Sequence, residues 1–318
     1  MQVGLMIKRS VIAFTMLLLS GTAVAQAGDS TAQQEQARRR AAANAVPDTP
    51  GIGPYPAAMM TDPTLPNHVI YRPANLAALG KKKLGILLWG NGGCTDDGSS
   101  ARLHLEEIAS HGYLAIAPGM ILSGPSAPAN AKAPDFMTTR GADVVKGLDW
   151  ALAENKRKRS PYYGRIDPRA VAISGHSCGG IISIQMASDP RIKAIIIHNS
   201  GVFPNRPERP QLITDKAWLK GLHTPILYAI GNPSDVGYPV AQDDFARIDH
   251  VPVFLASLKS VGHGGTFSQA NGGIAAQVAL AWLEWQLRGD KRAARLFVGS
   301  ACGLCSDPNW SVQRKGIR

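Results

Sequence analysis

What the 318 residues leave out narrows the class of protein before any motif is read. After the first 25 residues no apolar stretch approaches the roughly 20 residues that a spanning helix requires, so stable membrane insertion is not expected. No internal repeat is present, which speaks against a solenoid, and the only biased block is an Ala-, Gln- and Arg-rich stretch near the N-terminus. Cysteine is limited to Cys94, Cys178, Cys302 and Cys305. The pair Cys302-x-x-Cys305 offers two ligands where tetrahedral zinc takes about four, with no matching pair elsewhere, so no metal site is expected. Nucleic-acid reading motifs are missing and the basic residues are dispersed, which argues against nucleic acid as a partner. Charged residues make up only 18% of the chain against 45% apolar, the balance of an ordinary globular protein with room for one large α/β domain.

The N-terminus carries Lys8 and Arg9, an apolar run over residues 11–19 and the small residues Ala23-Val24-Ala25. That order is the signature of a removed signal peptide over residues 1–25, implying a periplasmic or secreted protein whose cysteines meet an oxidising compartment. The apolar run is too short for a spanning anchor. The whole sequence has a net charge of +11; without Lys8 and Arg9, 32 cationic side chains face 23 anionic ones, a mature excess of +9. Such a field favours encounter with polyanions, including acidic polymers and anionic envelope surfaces, but specifies no chemistry. The basic clusters at 38–40, 81–83 and 156–159 read as solvated linker, loop or helix-end residues. Residues 26–60, ending in Pro47, Pro50 and Pro54, read as a flexible tether, with folding proper starting near Asp62 and one domain over 61–318.

From there short apolar runs alternate with amphipathic stretches. Strands are expected at 84–89, 113–117, 170–174, 192–198, 225–230 and 251–255, and helices at 100–110, 140–154, 178–188, 239–248 and 274–287. The rhythm is that of an α/β protein: a mostly parallel, doubly wound sheet of about eight strands covered by helices on both faces. Such sheets place their active sites in the loops at the carboxyl ends of strands.

One of those loops is Gly175-His176-Ser177-Cys178-Gly179, a G-x-S-x-G motif between an expected strand and an expected helix. In that context a sharp turn lifts the serine hydroxyl above the sheet, and the helix N-terminus favours developing negative charge. Ser177 is therefore the candidate nucleophile, and Cys178, one position further on, is not. A serine hydroxyl needs a base, and this architecture brings one from the loop before the last helix, where His263 stands in Val261-Gly262-His263-Gly264-Gly265. His250 precedes a strand, His176 lies within the elbow and His198 comes before the acid loop, so these three read as structural. The chain order serine, acid, histidine selects Asp235, in the loop after strand 225–230; Asp243 and Asp244 fall on the next helix, and Asp249 is an outside candidate.

Acyl transfer also needs donors for the oxyanion: one N–H from the residue after the nucleophile, here Cys178, and one from the loop after an early strand. Trp89-Gly90-Asn91-Gly92-Gly93-Cys94 is that loop, with Asn91 first and Gly92 next as donor. Because Cys94 and Cys178 fall on these neighbouring loops, a disulfide between them would brace the oxyanion hole and leave Cys302 and Cys305 to close a small loop; sequence alone leaves the pairing open.

On the residues 89–94, 110–113, 175–180, 231–235 and 261–265, the span from about Asp62 to Leu287 resembles the α/β-hydrolase superfamily, most closely its secreted dienelactone-hydrolase, chlorophyllase and polyester-hydrolase-like branches. The end of the chain, from Phe297-Val298-Gly299 through Cys302-Gly303-Leu304-Cys305 to Trp310, is similar to a tail of exported hydrolases that include poly(aspartic acid) hydrolase-like proteins. Asn91-Gly92-Gly93 departs from the His-Gly-Gly sequence of many lipases, so the resemblance does not extend to an ordinary lipase. What it implies is ester or amide hydrolysis by Ser177, His263 and Asp235 through an acyl-enzyme, with no metal or organic cofactor. The substrate is then a small ester or a polymer, including an anionic one such as poly(aspartic acid). Arg206 and Arg209, in a Pro/Arg segment after a central strand, are candidate substrate contacts, with a plain surface loop as the competing reading. A dimer is compatible with the sequence. The competing function is a non-catalytic protein of the same fold that binds a polyanion or a partner protein.

Overall fold

The computed structural model describes residues 34, 38, 41–204 and 214–317. The chain divides into two compact units, 1–45 and 46–318; in the first, residues 41–45 are helical. The signal peptide expected over 1–25, and Arg206 and Arg209, lie outside the described residues.

In the second unit, six parallel strands form the centre of a nine-stranded sheet of order β1-β2-β4-β3-β5-β6-β7-β8-β9. They are β3 (Leu84–Gly90), β4 (Tyr113–Pro118), β5 (Ile166–His176), β6 (Ala194–His198), β7 (Ile226–Ile230) and β8 (Val253–Leu258). Every residue of β3, β4, β6, β7 and β8 is buried, because helices cover both faces, and this is why these strands read as unbroken apolar runs. The period of two sorts them: Ile86 and Leu88 face one core, Leu87 and Trp89 the other. On the first side pack α2 (Gly141–Glu154), α3 (Cys178–Met186) and α4 (Tyr238–Arg247), through Val144, Leu148, Ile182 and Phe245. On the other are α1 (Arg102–Ser110) and α5 (Gly273–Arg288), through Leu105, Ile108, Val278 and Trp282.

The remaining strands are antiparallel edges: β1 (Ala57–Asp62) and β2 (Leu65–Pro73) on one side, β9 (Trp310–Lys315) against β8 on the other. The sheet thus has nine strands, one more than the sequence suggested, and the tail carrying Cys302 and Cys305 supplies the last of them.

Order also begins earlier than the tether reading placed it. Residues 46–56 lie along α1, where Ile52 N–H donates to Glu107 Oε2 (2.9 Å), Gly53 N–H to Ser110 Oγ (2.9 Å) and Tyr55 N–H to the Ser110 carbonyl (3.0 Å). Arg102 pairs with Asp48. The segment has few hydrogen bonds of its own and takes its shape from the polar side chains of α1, so its composition alone looks like a linker. Among the described residues no helix is long and apolar enough to cross a membrane.

Candidate active site

At the carboxyl end of β5 the chain turns sharply into α3, and Ser177 occupies the turn with φ 53° and ψ −121°. A non-glycine residue adopts that conformation only when its surroundings enforce it. Here they do: Ser177 N–H donates to the His198 carbonyl at 3.0 Å, and Ser200 Oγ–H donates to the Ser177 carbonyl at 2.6 Å. Gly179 is required two residues on, since a Cβ there would collide with the Gly90 carbonyl of β3. The two glycines let the end of β3 and the elbow touch backbone to backbone.

His263 Nε2 lies 2.8 Å from Ser177 Oγ, and its Nδ1 lies 2.7 Å from Asp235 Oδ1. Three residues far apart in sequence thus form one hydrogen-bonded chain, with His263, the last of them in sequence, in the middle. The Asp235 side chain is fully buried. Burial alone would raise its pKa, but hydrogen bonds from His263, the N–H groups of Gly237 and Gly231 and the Asn199 carboxamide outweigh it and hold the carboxyl at about 2. Asp235 is therefore an anion at any working pH, fixing the proton of His263 on Nδ1 and leaving Nε2 to accept from the serine.

Asn199 was not singled out by sequence, yet it joins the site. It follows β6 with φ 48°, a conformation that asparagine tolerates, and its Nδ2 donates both to Asp235 Oδ2 (2.8 Å) and to the Gly262 carbonyl (3.1 Å). A lone asparagine after a strand carries no signal of this; its role emerges only once the acid loop and the histidine loop are brought beside it.

On the other side of Ser177, the Cys178 N–H is the first of α3 and has no intrahelical acceptor, which leaves it to serve an anion. Cys178 is joined to Cys94 by a disulfide, and Cys302 to Cys305 by a second. Asn91 is fully buried; its Nδ2 donates to the carbonyls of Thr95 (2.9 Å) and Pro118 (2.7 Å), so the side chain locks the loop and is not free to donate to a substrate. Residues 137–139 add N–H bonds to the Gly93 and Cys94 carbonyls at 3.0 Å. Phe136, 65% exposed, has its ring against Gly93 and puts an apolar face on the rim. Beside it Lys132 bridges Asp96 and Asp135.

Behind the elbow lies a box of rings. Phe267 contacts Trp89, His104, His176 and His198, with centroid separations of 5.7, 5.2, 4.9 and 5.4 Å. His104 and His198 are fully buried, and neither ring nitrogen of either has a hydrogen-bond partner among the described residues. Among the described residues no group of three or more His, Cys, Asp or Glu side chains is placed to hold an ion. Burial lowers the pKa of His104 to about 3 and of His176 to about 4, and drives that of His198 well down. In the unfolded chain each titrates near 6.5, so below that pH the unfolded state binds protons that the folded state refuses. Stability is expected to fall from pH 6.5 towards pH 4, by about 1.4 kcal/mol per pH unit for each histidine held neutral. Urea midpoints at pH 7 and pH 5 check this, and His104→Leu should flatten the slope. An unchanged midpoint at pH 5 would show that these rings are charged or solvated in the fold.

With fold and geometry described, comparison with known proteins adds one finding. Residues 70–204 match a family model described as PET hydrolase-like. The chain has the α/β-hydrolase fold. The matched span runs from β2 past β6, contains the glycine-rich loop after β3 and Ser177, and ends before Asp235 and His263. It supports a hydrolase acting on esters. No curated protein matches the sequence.

Proposed function

We propose that the protein is an exported serine esterase in which Ser177, His263 and Asp235 form the catalytic triad. The observation that carries this reading is the unbroken hydrogen-bonded chain from Ser177 Oγ through His263 to a buried Asp235 anion, with Oγ held at the tip of a strained turn. Ser177 Oγ attacks the ester carbonyl carbon while its proton passes to His263 Nε2. The carbonyl oxygen becomes an oxyanion that accepts hydrogen bonds from the Cys178 N–H and an N–H of residues 91–92. Collapse expels the alcohol, which takes the proton from His263, and a water deprotonated by the same nitrogen then resolves the acyl-enzyme. No step needs a metal or an organic cofactor. Export agrees with both disulfides, which persist in oxidising compartments.

Neutral carboxylic esters are the substrate class we propose. The net positive charge would draw anionic chains such as poly(aspartic acid) to the molecule, but the rim beside Gly93 presents apolar Phe136 and two carboxylates against one lysine. Fluorophosphonate labelling of the mature protein, with the labelled peptide identified by mass spectrometry, tests the mechanism. An adduct confined to Ser177 is expected; folded protein that takes none would favour the non-catalytic binding reading. Hydrolysis of a neutral ester against poly(aspartic acid) then tests the substrate class.

A further inference from the structure

The loop that carries His263 is Val261-Gly262-His263-Gly264-Gly265, and three glycines in five residues give it little stiffness of its own. A general base on such a loop must be held from outside, because a displacement of about 1 Å can cost about 100-fold in rate. Three consecutive carbonyls are held, each from a different element. Asn232 N–H, in the acid loop, donates to the Val261 carbonyl at 2.8 Å; Asn199 Nδ2, after β6, donates to the Gly262 carbonyl at 3.1 Å; and His176 Nε2 lies 2.8 Å from the carbonyl of His263 itself.

The third contact is the most direct, since it grips the backbone of the very residue whose ring takes the proton. A carbonyl can only accept, so Nε2 of His176 must carry a hydrogen, which fixes its tautomer. The ring is seated for this work. It meets Phe267 edge-to-face at 4.9 Å and approaches the His263 ring at 5.2 Å, while its Nδ1 side lies against Gly92, where a Cβ would sit 2.7 Å away. One imidazole therefore touches the elbow, the oxyanion loop and the histidine loop together.

Resting on the triad reading above, we propose that His176 is a positioning residue for catalysis: its Nε2–H sets the place of His263 relative to Ser177 by holding the His263 carbonyl. Being adjacent to the nucleophile, His176 moves with the elbow, so the donor and the serine share one rigid turn and the base is referenced to the atom it must deprotonate.

The test is steady-state hydrolysis of a soluble p-nitrophenyl ester by the mature protein, with Ser177→Ala measured alongside. His176→Phe keeps a ring against Phe267 and removes the donor; His176→Gln restores a donor nitrogen at the reach of Nε2. For His176→Phe kcat is expected to fall about 10- to 100-fold with KM within about twofold, and His176→Gln should recover to within about fivefold of wild type. Wild-type kcat in His176→Phe overturns the proposal, as does an equal loss in both variants, which would mean that the ring fills space and the donor is idle. Nitrogen NMR on the wild-type protein decides independently of whether either variant folds: a proton on Nε2 of His176 supports the proposal and a proton on Nδ1 overturns it. Full activity of Ser177→Ala would instead sink the triad reading beneath it.

Discussion

Ser177→Ala is expected to lower kcat/KM for a soluble ester by at least about 10⁴-fold, some 5.5 kcal/mol of transition-state stabilisation, without lowering the melting temperature. In the proposed mechanism the hydroxyl forms the acyl-enzyme, and removing it leaves only binding and the proposed oxyanion donors. His263→Ala should cost about as much, because without a base the hydroxyl stays protonated. Combining the two should cost no more than either alone, since groups that act in one proton-transfer step fail together. Asp235→Asn probes a subtler loss: it preserves the shape of the loop but removes the anion that keeps the His263 proton on Nδ1, for an expected loss of about 10⁴-fold. The melting temperature of Ser177→Ala is informative in itself. The residue sits at φ 53°, so alanine inherits the strain without the function, and a variant as stable as wild type would show that the strain is held by the backbone bonds of residue 177 and the packing of Gly179 on Gly90, not by the hydroxyl. Losses that simply multiply in the Ser177/His263 double variant would mean that the two residues act in separate steps.

The parts of this site that were legible in sequence share one property: their meaning is local. The central strands read correctly because burial on both faces makes them uninterrupted apolar runs, and Ser177, Asp235 and His263 each stand in a loop just after such a run. The adjacency of loops suggests a Cys94–Cys178 bridge without deciding it, and that is the pairing observed. Edge strands were harder. In β9 only Trp310 is buried and the strand ends in Gln313, Arg314 and Lys315, a pattern with no clean period. Residues 46–56 were read as tether because their hydrogen bonds go to Glu107 and Ser110, about 55 positions away. Asn199 and His176 were invisible as site residues for the same reason. Their donors act on carbonyls 63 and 87 residues distant, and backbone carbonyls have no sequence. His176 reads as structural in sequence, because nothing local distinguishes a ring that steadies a base from one that fills space.

The second large effect is expected from the Cys94–Cys178 disulfide, which spans 84 residues and links the oxyanion loop to the first residue of α3. Closing a loop of that length removes enough freedom from the unfolded chain to contribute about 4.5 kcal/mol in the chain-entropy account. The Cys94→Ala/Cys178→Ala double variant should therefore melt about 10 °C or more below wild type. It should also lose activity, because alanine at 178 keeps the backbone N–H but no longer ties it to the opposite side of the oxyanion hole; a displaced donor costs about 100-fold in kcat. The Cys302→Ala/Cys305→Ala variant is the internal control. Its loop spans three residues in the tail beside β9, remote in sequence from Ser177, so kcat should stay near wild type. Thermal melts and ester kinetics on the two double variants separate two roles for the first bridge. A lower melting temperature with full kcat would assign the hold on the oxyanion loop to the Asn91 carboxamide and to residues 137–139, which grip the same loop by five hydrogen bonds of 2.7–3.0 Å. Loss of both would mean that those bonds hold the loop together but that only the covalent bridge sets its distance from the elbow.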